Sequence, residues 1–242
     1  MKIIIEDTYE AMSKHAANDV TNIMKPLKQP LLCVASGDSP KGLYKELARQ
    51  QNESLSDTSQ WFFLGLDEWI GLGKNDEGSC RYMLNEDVFK PLHVTEEKIC
   101  CFDGKAEDTG KECERIETFI HQHGGIDIAI LGIGMNGHVG LNEPGTSPAL
   151  RSHVSVVDEV TKKVGQKYFS RPQNLTKGIT LGIATLMEAK HLFLLVSGEK
   201  KAAILQQALE GEKTEKIPIS LIREHPDFIV YADKDAAKLL KN

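Results

Sequence analysis

Uninterrupted apolar runs are the feature that most limits the folds open to this chain. They cover residues 31–35, 61–66, 128–131 and 191–196, and each is short and lacks the polar alternation of a half-exposed strand. Strands that are apolar on both faces are typical of a parallel sheet buried between layers of helices. Stretches with helical spacing of apolar residues separate the runs. The sequence therefore predicts an α/β fold, a doubly wound and mostly parallel sheet with helices on both faces.

The same patterns predict the individual elements. Strands are expected at 2–5, 31–35, 61–66, 99–102, 128–131, 154–157, 178–181, 191–196 and 228–231. Helices are expected at 10–24, 41–50, 79–89, 107–121, 161–169, 185–189, 202–209 and 236–240. Residues 217–222 show no clear pattern. Because no repeat, low-complexity segment or linker interrupts the chain, we expect residues 1–242 to form a single domain.

Composition and charge narrow the class of protein. Hydrophobic residues make up 40% of the chain and charged residues 26%, as in ordinary soluble globular proteins. The net charge of −6, without a basic block, argues against a nucleic-acid partner. No apolar run approaches membrane-spanning length, and the first residues lack a signal-peptide core, so no membrane partner is expected. Five cysteines without CxxC spacing argue against a disulfide framework and indicate a reducing cytoplasm.

A glycine-rich loop follows the apolar run at 128–131. Gly132, Gly134 and Gly137 form a literal GxGxxG, the pattern of a dinucleotide site. Such a site needs a helix directly after the third glycine, because the pyrophosphate is bound at the helix N-terminus. Here Gly140 and Pro144 intervene, and the residues around them are typical of turns. The sequence therefore argues against a nucleotide.

The same loop carries candidates for acid–base chemistry. Histidine is a common acid–base residue, and the carboxylate of Glu143 is near enough in sequence to orient the ring of His138. Asn136 lies beside them, and Asp67 ends the apolar run at 61–66, where a partly desolvated carboxylate is suited to act as a general base. The alternatives are a structural or exposed histidine and, for Asp67, a solvated loop acid or a helix cap. No HxxxH or CxxC pair indicates a metal site.

A second loop, at residues 36–40, is suited to bind an anion. It joins an apolar strand to a predicted helix, whose first N–H groups and dipole favour negative charge. Ser36 and Ser39 add hydroxyl donors, and Gly37 allows close approach. The alternative is ordinary capping of the helix by Asp38 or Ser39. Without the GK[ST] of a P-loop, a small phosphorylated metabolite is favoured over a nucleoside triphosphate.

These segments together resemble the glucosamine/galactosamine-6-phosphate isomerase (deaminase) family. The resemblance lies in SGDSP at 36–40, LDEWIGL at 66–72 and GIGMNGHVGLNEP at 132–144, with TLG at 180–182 and VSGEKK at 196–201. It spans essentially the whole chain, and GHxGxNEP is its most specific motif. The resemblance implies a single-domain Rossmann-like fold. It also implies an enzyme that opens the ring of an amino-sugar 6-phosphate, isomerises aldose to ketose and releases ammonia.

The resemblance also implies roles for the candidate residues. Asp67 would take the proton from C2 and return it at C1, and His138 would move the proton during ring opening. Glu143 would orient His138. Asn136 stands where some family members have aspartate, and as an uncharged residue it orients His138 only through a hydrogen bond. The isomerisation needs one base for both carbons and a second acid–base pair at the ring oxygen. Asp67 and the His138–Glu143 pair are suited to these two tasks.

The resemblance places the phosphate on residues 36–39, with a lysine to bind it. Lys201 would reach the phosphate, and Lys167 is a further candidate, with Arg171 nearby. Family members often have an arginine at the position of Lys167, and an arginine binds phosphate through two donors whereas a lysine acts as a point charge. Neither chemical step requires a metal or nicotinamide, so no cofactor is expected.

The sequence does not decide which branch of the family the chain belongs to, and it leaves two rival functions. Trp69 after the Asp–Glu pair, and Gly78-Ser79-Cys80 in the next loop, favour the galactosamine-6-phosphate members. The rivals are a 6-phosphogluconolactonase-like hydrolase and a non-enzymatic sugar-phosphate sensor. The NEP segment argues against the first, and the combination of Asp67, His138 and Glu143 argues against the second. The expected partner is a small amino-sugar phosphate, and a homo-oligomer stays open.

Overall fold

A computed structural model of the chain describes residues 1–241. Its strands and helices alternate along the sequence, as the apolar runs predict. In chain order they are β1 (Lys2–Glu6), α1 (Tyr9–Met24), β2 (Leu31–Val34), α2 (Asp38–Asn52), β3 (Phe62–Gly65), β4 (Asp67–Trp69), α3 (Cys80–Leu84), β5 (Ile99–Cys100), α4 (Thr109–Gln122), β6 (Ile128–Leu131), β7 (His153–Val156), α5 (Glu159–Gly165), β8 (Lys177–Thr180), α6 (Ile183–Met187), β9 (His191–Val196), α7 (Ala202–Glu210), β10 (Phe228–Asp233) and α8 (Lys234–Ala237). Single turns of other helical types extend α3 over Asn85–Phe89 and α5 over Gln166–Tyr168, and precede α7 at Glu199–Lys201. A further short helix covers Pro218–Ile222, where the sequence shows no clear pattern.

A seven-stranded sheet forms the centre of the molecule. Its strand order is β1-β10-β9-β6-β2-β3-β5, and every neighbouring pair is parallel. Strand β1 forms one edge of this sheet. From β2 the chain moves outward through β3 to β5 at the other edge, and it then returns through β6, β9 and β10 to pair with β1, so that helices cover both faces. This confirms the doubly wound α/β fold predicted from the apolar runs.

Strand β2 shows why such a sheet has no polar alternation. All four of its residues are buried. Leu31 and Cys33 pack into the core on the face that α4 and α7 cover, whereas Leu32 and Val34 pack into the core beneath α1 and α2. Since successive side chains point to opposite faces, both faces of the strand must be apolar.

A smaller sheet of three antiparallel strands, in the order β4-β8-β7, was not predicted. The apolar run at 61–66 contributes only Phe62–Gly65 to the large sheet; after Leu66 the chain turns away, and Asp67–Trp69 pairs with Lys177–Thr180. An apolar run does not reveal where a chain leaves one sheet for another, because both environments bury it. The consequence is that Asp67 stands just beyond the carboxyl edge of the large sheet.

The helix expected at 41–50 begins three residues earlier, at Asp38. Its N-terminus therefore opens directly onto the loop at 36–37. Within residues 1–241, no helix combines the length and the apolar character that crossing a bilayer would require.

Candidate active site

A cavity lies where the carboxyl ends of β2, β3 and β6 meet. It is lined by the loop at 36–40, the start of β4, the glycine-rich loop after β6, one face of α5 and the turn at Glu199–Lys201. Of the predicted site residues, all line this cavity except Asn136 and Glu143, which lie behind His138. The fold thus brings together side chains that are far apart in the sequence, as expected at the carboxyl edge of a parallel sheet.

The loop at 36–39 presents backbone rather than a capped helix end. Gly37 precedes α2 with a φ of 113°, a conformation that favours glycine, and no side chain caps the first N–H groups. The alternative that Asp38 or Ser39 caps this helix is therefore wrong. Ser39 points toward Ser197, with its Oγ atom 3.3 Å from that of Ser197. Uncapped N–H groups at the end of a 15-residue helix form a favourable anion site.

Two lysines reach the same end of the cavity. The Nζ atom of Lys201 donates to the carbonyl oxygen of Ile133 at 2.6 Å, and burial, together with nearby Lys167, lowers the pKa of Lys201 to about 8. Lys167 lies 2.5 Å from Oδ2 of Asp38. Arg171 is exposed and is not among the residues that line the cavity. Of the two cationic candidates near α5, Lys167 is the one placed to meet an anion.

Asp67, the first residue of β4, lines the same cavity. Burial raises the pKa of Asp67 to about 6, although the thiol of Cys80 and the ring of His138 favour its charged form. The backbone around it is held by β8, since Asp67 pairs with Thr180 in the small sheet. A carboxylate with a pKa near the operating pH is suited to general-base chemistry.

The neighbouring carboxylate, Glu68, faces away from the cavity and has a structural role. Its two oxygens accept hydrogen bonds from the backbone N–H groups of Trp69, Cys80 and Arg81 at 2.8, 3.0 and 2.8 Å. Burial raises the pKa of Glu68 to about 7, against these three donors. Glu68 therefore ties the first turn of α3 to β4 and places Cys80 beside Asp67.

His138 lies in the cavity wall with Glu143 directly behind it. The Nδ1 atom of His138 is 3.4 Å from Oε2 of Glu143 and 2.9 Å from Oγ1 of Thr161. Gly134 leaves room for the imidazole, because a Cβ atom at position 134 would lie 2.5 Å from the ring. One of the glycines in the GxGxxG pattern is thus explained by the histidine. No helix begins between residues 132 and 152, a stretch that lies wholly inside the described chain, and this agrees with the argument against a nucleotide.

Glu143 is held in its charged form by its hydrogen-bond partners. Burial opposes ionisation, but His138, Thr161 and Asn136 outweigh it and keep the pKa of Glu143 below its usual range. Asn136 donates from Nδ2 to Oε2 of Glu143 at 2.8 Å and to Oδ1 of Asp158 at 3.2 Å. Asn136 therefore bridges two carboxylates. Its Oδ1 atom accepts from the N–H group of His138 at 3.3 Å.

Sequence reasoning missed Thr161 and Asp158 as members of this site. Both belong to the start of α5, where Asp158 caps the helix through the N–H group of Val160. The pattern predicted a helix near this position, but no spacing relates it to the loop at 132–144. Only the packing of α5 over the cavity brings Thr161 to His138. Tyr168, after α5, joins the cavity wall for the same reason.

The fold and the cavity define a doubly wound α/β protein with an acid–base site at the carboxyl edge of its sheet. Comparison with known families shows to which family within this class the chain belongs. Residues 5–230 match the model of the glucosamine-6-phosphate isomerases/6-phosphogluconolactonase family, and the chain belongs to that family. Among residues 1–241, no group of His, Cys, Asp and Glu side chains has the geometry of a metal site.

Similar proteins match over their full length. A glucosamine-6-phosphate deaminase of Clostridium perfringens is 36% identical over 242 residues, 100% of both chains. A glucosamine-6-phosphate deaminase of Alkaliphilus oremlandii is 38% identical over 241 residues, 99% of this chain and 100% of the relative. These similarities agree with the family resemblance found in the motifs.

Solved structures show the same fold. A monomeric glucosamine-6-phosphate deaminase superposes with a TM-score of 0.95 at 34% identity, covering 99% of this chain and 100% of that chain. The 6-phosphogluconolactonase of Trypanosoma brucei superposes with a TM-score of 0.75 at 19% identity, covering 99% of this chain and 98% of that chain. At 19% identity, the similarity to the lactonase is evidence for a shared fold alone.

Proposed function

We propose that this chain is an amino-sugar 6-phosphate deaminase/isomerase. It converts glucosamine-6-phosphate or galactosamine-6-phosphate to fructose-6-phosphate or tagatose-6-phosphate and ammonia. The observation that carries the proposal is one cavity lined both by a carboxyl of raised pKa, Asp67, and by a histidine backed by a carboxylate. The deaminases that match this chain over its full length support the same chemistry.

The anion end of the cavity orients the substrate. The uncapped N–H groups of α2, the hydroxyls of Ser36 and Ser39, and the charge of Lys201 are arranged to bind the 6-phosphate. Lys167 exchanges its contact with Asp38 for the phosphate. This placement directs the sugar ring toward Asp67 and His138, and positioning of this kind is a large part of catalysis.

The two acid–base groups then divide the chemistry. His138 moves the proton between the C1 hydroxyl and the ring oxygen, so that the ring opens to the aldehyde. Asp67 takes the proton from C2, and the electrons shift to O1, which takes a proton from the substrate ammonium group to give an enolamine. The Asp67 carboxyl then returns its proton to C1. Water adds to the resulting imine at C2, the C–N bond breaks and ammonia leaves.

The partner of this chain in the proposal is a small sugar phosphate, and its compartment is the cytoplasm. The five cysteines form no disulfide, which is the expected state in a reducing compartment. A homo-oligomer stays a prediction. The glucosamine-6-phosphate deaminase structure that superposes with a TM-score of 0.95 is that of a monomeric protein. Light scattering would measure the oligomeric state of this chain.

Parallel turnover of three substrates tests the proposed function. We expect ammonia and a ketose phosphate in equal amounts from glucosamine-6-phosphate, galactosamine-6-phosphate or both. The ratio of the two rates decides the galactosamine preference suggested by Trp69, which stays a prediction because the matched relatives are named for glucosamine-6-phosphate. Hydrolysis of 6-phosphogluconolactone without ammonia release would instead support the lactonase rival. Binding of an amino-sugar phosphate without turnover would support the sensor.

A further inference from the structure

We propose that Thr161 is a positioning residue that keeps the proton of His138 on Nδ1 and leaves Nε2 free to act on the substrate. The inference deepens the proposed function, on which its catalytic consequence rests. It concerns the hydroxyl of one threonine on α5, an element that none of the catalytic motifs contains.

The hydroxyl of Thr161 lies at the centre of the cluster behind His138. Its Oγ1 atom is 2.9 Å from Nδ1 of His138, 3.1 Å from Oε2 of Glu143 and 3.3 Å from Nδ2 of Asn136. The residue is 5% exposed, so water does not replace these partners. A threonine hydroxyl has a single proton, so it can donate to only one of these neighbours.

The chemistry of two partners fixes the third. The ionised carboxylate of Glu143 only accepts, so the single hydroxyl proton points to Oε2. The amide nitrogen of Asn136 only donates, and its two protons have shorter contacts with Glu143 and Asp158, so it does not compete for the hydroxyl proton. A lone pair of Oγ1 is left to face Nδ1 of His138, which must therefore carry a proton. The neutral ring then has its lone pair on Nε2.

The direct contact between His138 and Glu143 is a weaker means of fixing the ring. Its length of 3.4 Å exceeds the usual range of about 2.7–3.2 Å for an N–H···O bond. The route through Oγ1 has two shorter contacts, of 2.9 and 3.1 Å. Without the hydroxyl, the imidazole retains the charge of Glu143 nearby but loses the close acceptor that selects its tautomer.

The position of Thr161 also links the histidine to α5 as a whole. The helix begins at its cap, Asp158, which accepts from Asn136 at 3.2 Å, and Thr161 lies in its first turn. Lys167, just after α5, meets Asp38 at the anion end of the cavity. The element that covers the cavity therefore sets the histidine at one end and supplies a cation at the other.

Nitrogen-15 NMR of the histidine rings tests the proposal without substrate. The resonances of His138 are assigned by their loss in His138→Gln. We expect the Nδ1–H tautomer in the wild type and in Thr161→Ser, which keeps the hydroxyl. In Thr161→Val, of nearly equal shape, we expect a mixture of tautomers. Thr146→Val is the matched control, because the Thr146 hydroxyl donates to the backbone oxygen of Glu143 and not to its carboxylate.

Kinetics give the catalytic half of the test. With the amino-sugar phosphate that is turned over, we expect kcat of Thr161→Val to fall by more than about 10-fold with KM little changed. We expect Thr161→Ser, which keeps the hydroxyl, to retain most of the wild-type kcat. Retention of the Nδ1–H tautomer in Thr161→Val, or wild-type kcat in that variant, would overturn the proposal. If valine prevents folding, Thr161→Ala provides the same two readouts. Because the NMR measurement needs no turnover, it stays decisive even if the proposed reaction is not observed.

Discussion

At the scale of single residues, the role of Asp67 depends more on its surroundings in the fold than on its being a carboxylate. Asp67 and Glu68 are adjacent carboxylates, yet one lines the cavity and the other accepts three backbone N–H groups. Burial raises the pKa of Asp67 to about 6, which leaves it ionised at neutral pH but basic enough to accept a proton. The sequence places the pair at a strand end, and only the fold assigns a different role to each member.

Replacing Asp67 by asparagine tests its role as the base. We expect Asp67→Asn to lower kcat by about 10²- to 10⁴-fold, because the amide cannot accept the C2 proton, while substrate binding stays measurable. In the wild type, protonation removes the base, so activity should fall as the pH drops below about 6. The substrate phosphate also titrates near pH 6. The pKa is therefore measured by carbon-13 NMR of the carboxyl group, assigned by its absence in the variant. Normal turnover by Asp67→Asn would rule out this assignment.

Asn136 has a role that depends on its being uncharged. Its amide donates to both Glu143 and Asp158. We expect Asn136→Asp to lower the free energy of unfolding by about 1–3 kcal/mol, since it removes the donor and adds a third carboxylate. Urea denaturation measures this change.

A second substitution provides the control. In Asn136→Asp/Asp158→Asn, one amide again lies among two carboxylates, and asparagine remains a good helix cap. We expect the double variant to recover most of the lost stability. Additive losses in the double-mutant cycle would contradict the bridging role of Asn136.

At the scale of elements, the turn from β3 into β4 decides the shape of the site. The chain leaves the large sheet after Gly65 and forms a strand of three residues, held by β8. Glu68 then fixes the start of α3 against this strand. A short strand with few ladder bonds depends on such a side chain, and the position of Cys80 beside Asp67 follows from it.

Substitution of Glu68 by glutamine tests this dependence. We expect Glu68→Gln to lower the free energy of unfolding by about 1–3 kcal/mol, because an NH₂ group then faces a buried backbone N–H. Glu97→Gln is the control, since Glu97 is exposed and accepts from the hydroxyl of Thr95, and we expect a change within about 0.5 kcal/mol. Denaturant unfolding compares the two variants. Equal small effects would show that Glu68 does not hold α3.

The elements of the large sheet were the most predictable part of the structure. The runs at 31–35, 128–131 and 191–196 became β2, β6 and β9 with bounds that differ by at most a residue. Two buried faces leave an unambiguous apolar signature in the sequence. The small sheet left no comparable signature, because β7 has alternating half-buried and exposed residues and β4 contains two carboxylates.

At the scale of the whole molecule, two distant segments must meet for one substrate to bind. Lys201 follows β9, and the loop at 36–39 follows β2, and the two meet because β6 alone separates these strands in the sheet. Burial in the shared cavity lowers the pKa of Lys201 to about 8. Above this pH the free protein loses a positive charge that the phosphate needs.

The pH dependence of Lys201 variants tests this arrangement. We expect kcat/KM of the wild type to fall above about pH 8, because a neutral lysine binds the phosphate less strongly. In Lys201→Arg the charge persists, and the alkaline fall should weaken. Lys201→Met should lower kcat/KM about 10- to 100-fold at pH 7. Since titration of the substrate amine is common to all variants, an identical alkaline fall in Lys201→Arg would refute the role of Lys201.

The sequence by itself determined the class of fold, the family and the residues to examine. Apolar runs reveal strands buried on both faces, and glycine-rich loops after them reveal where backbone must turn or approach a ligand. The positions of Asp67, His138 and residues 36–39 follow from that reasoning. They all lie at one edge because parallel strands end together.

The tertiary structure alone decided which groups act on which. Thr161 and Asp158 join His138 and Asn136 only because α5 packs over the cavity, more than twenty residues after the glycine-rich loop begins. Burial raises the pKa of both Asp67 and Glu68, and what separates their roles is that Asp67 lines the cavity whereas Glu68 accepts three backbone N–H groups. Local sequence determines which faces of a strand are apolar. The direction of a hydrogen bond and the pKa of a carboxyl depend on atoms that the chain brings together only when it folds.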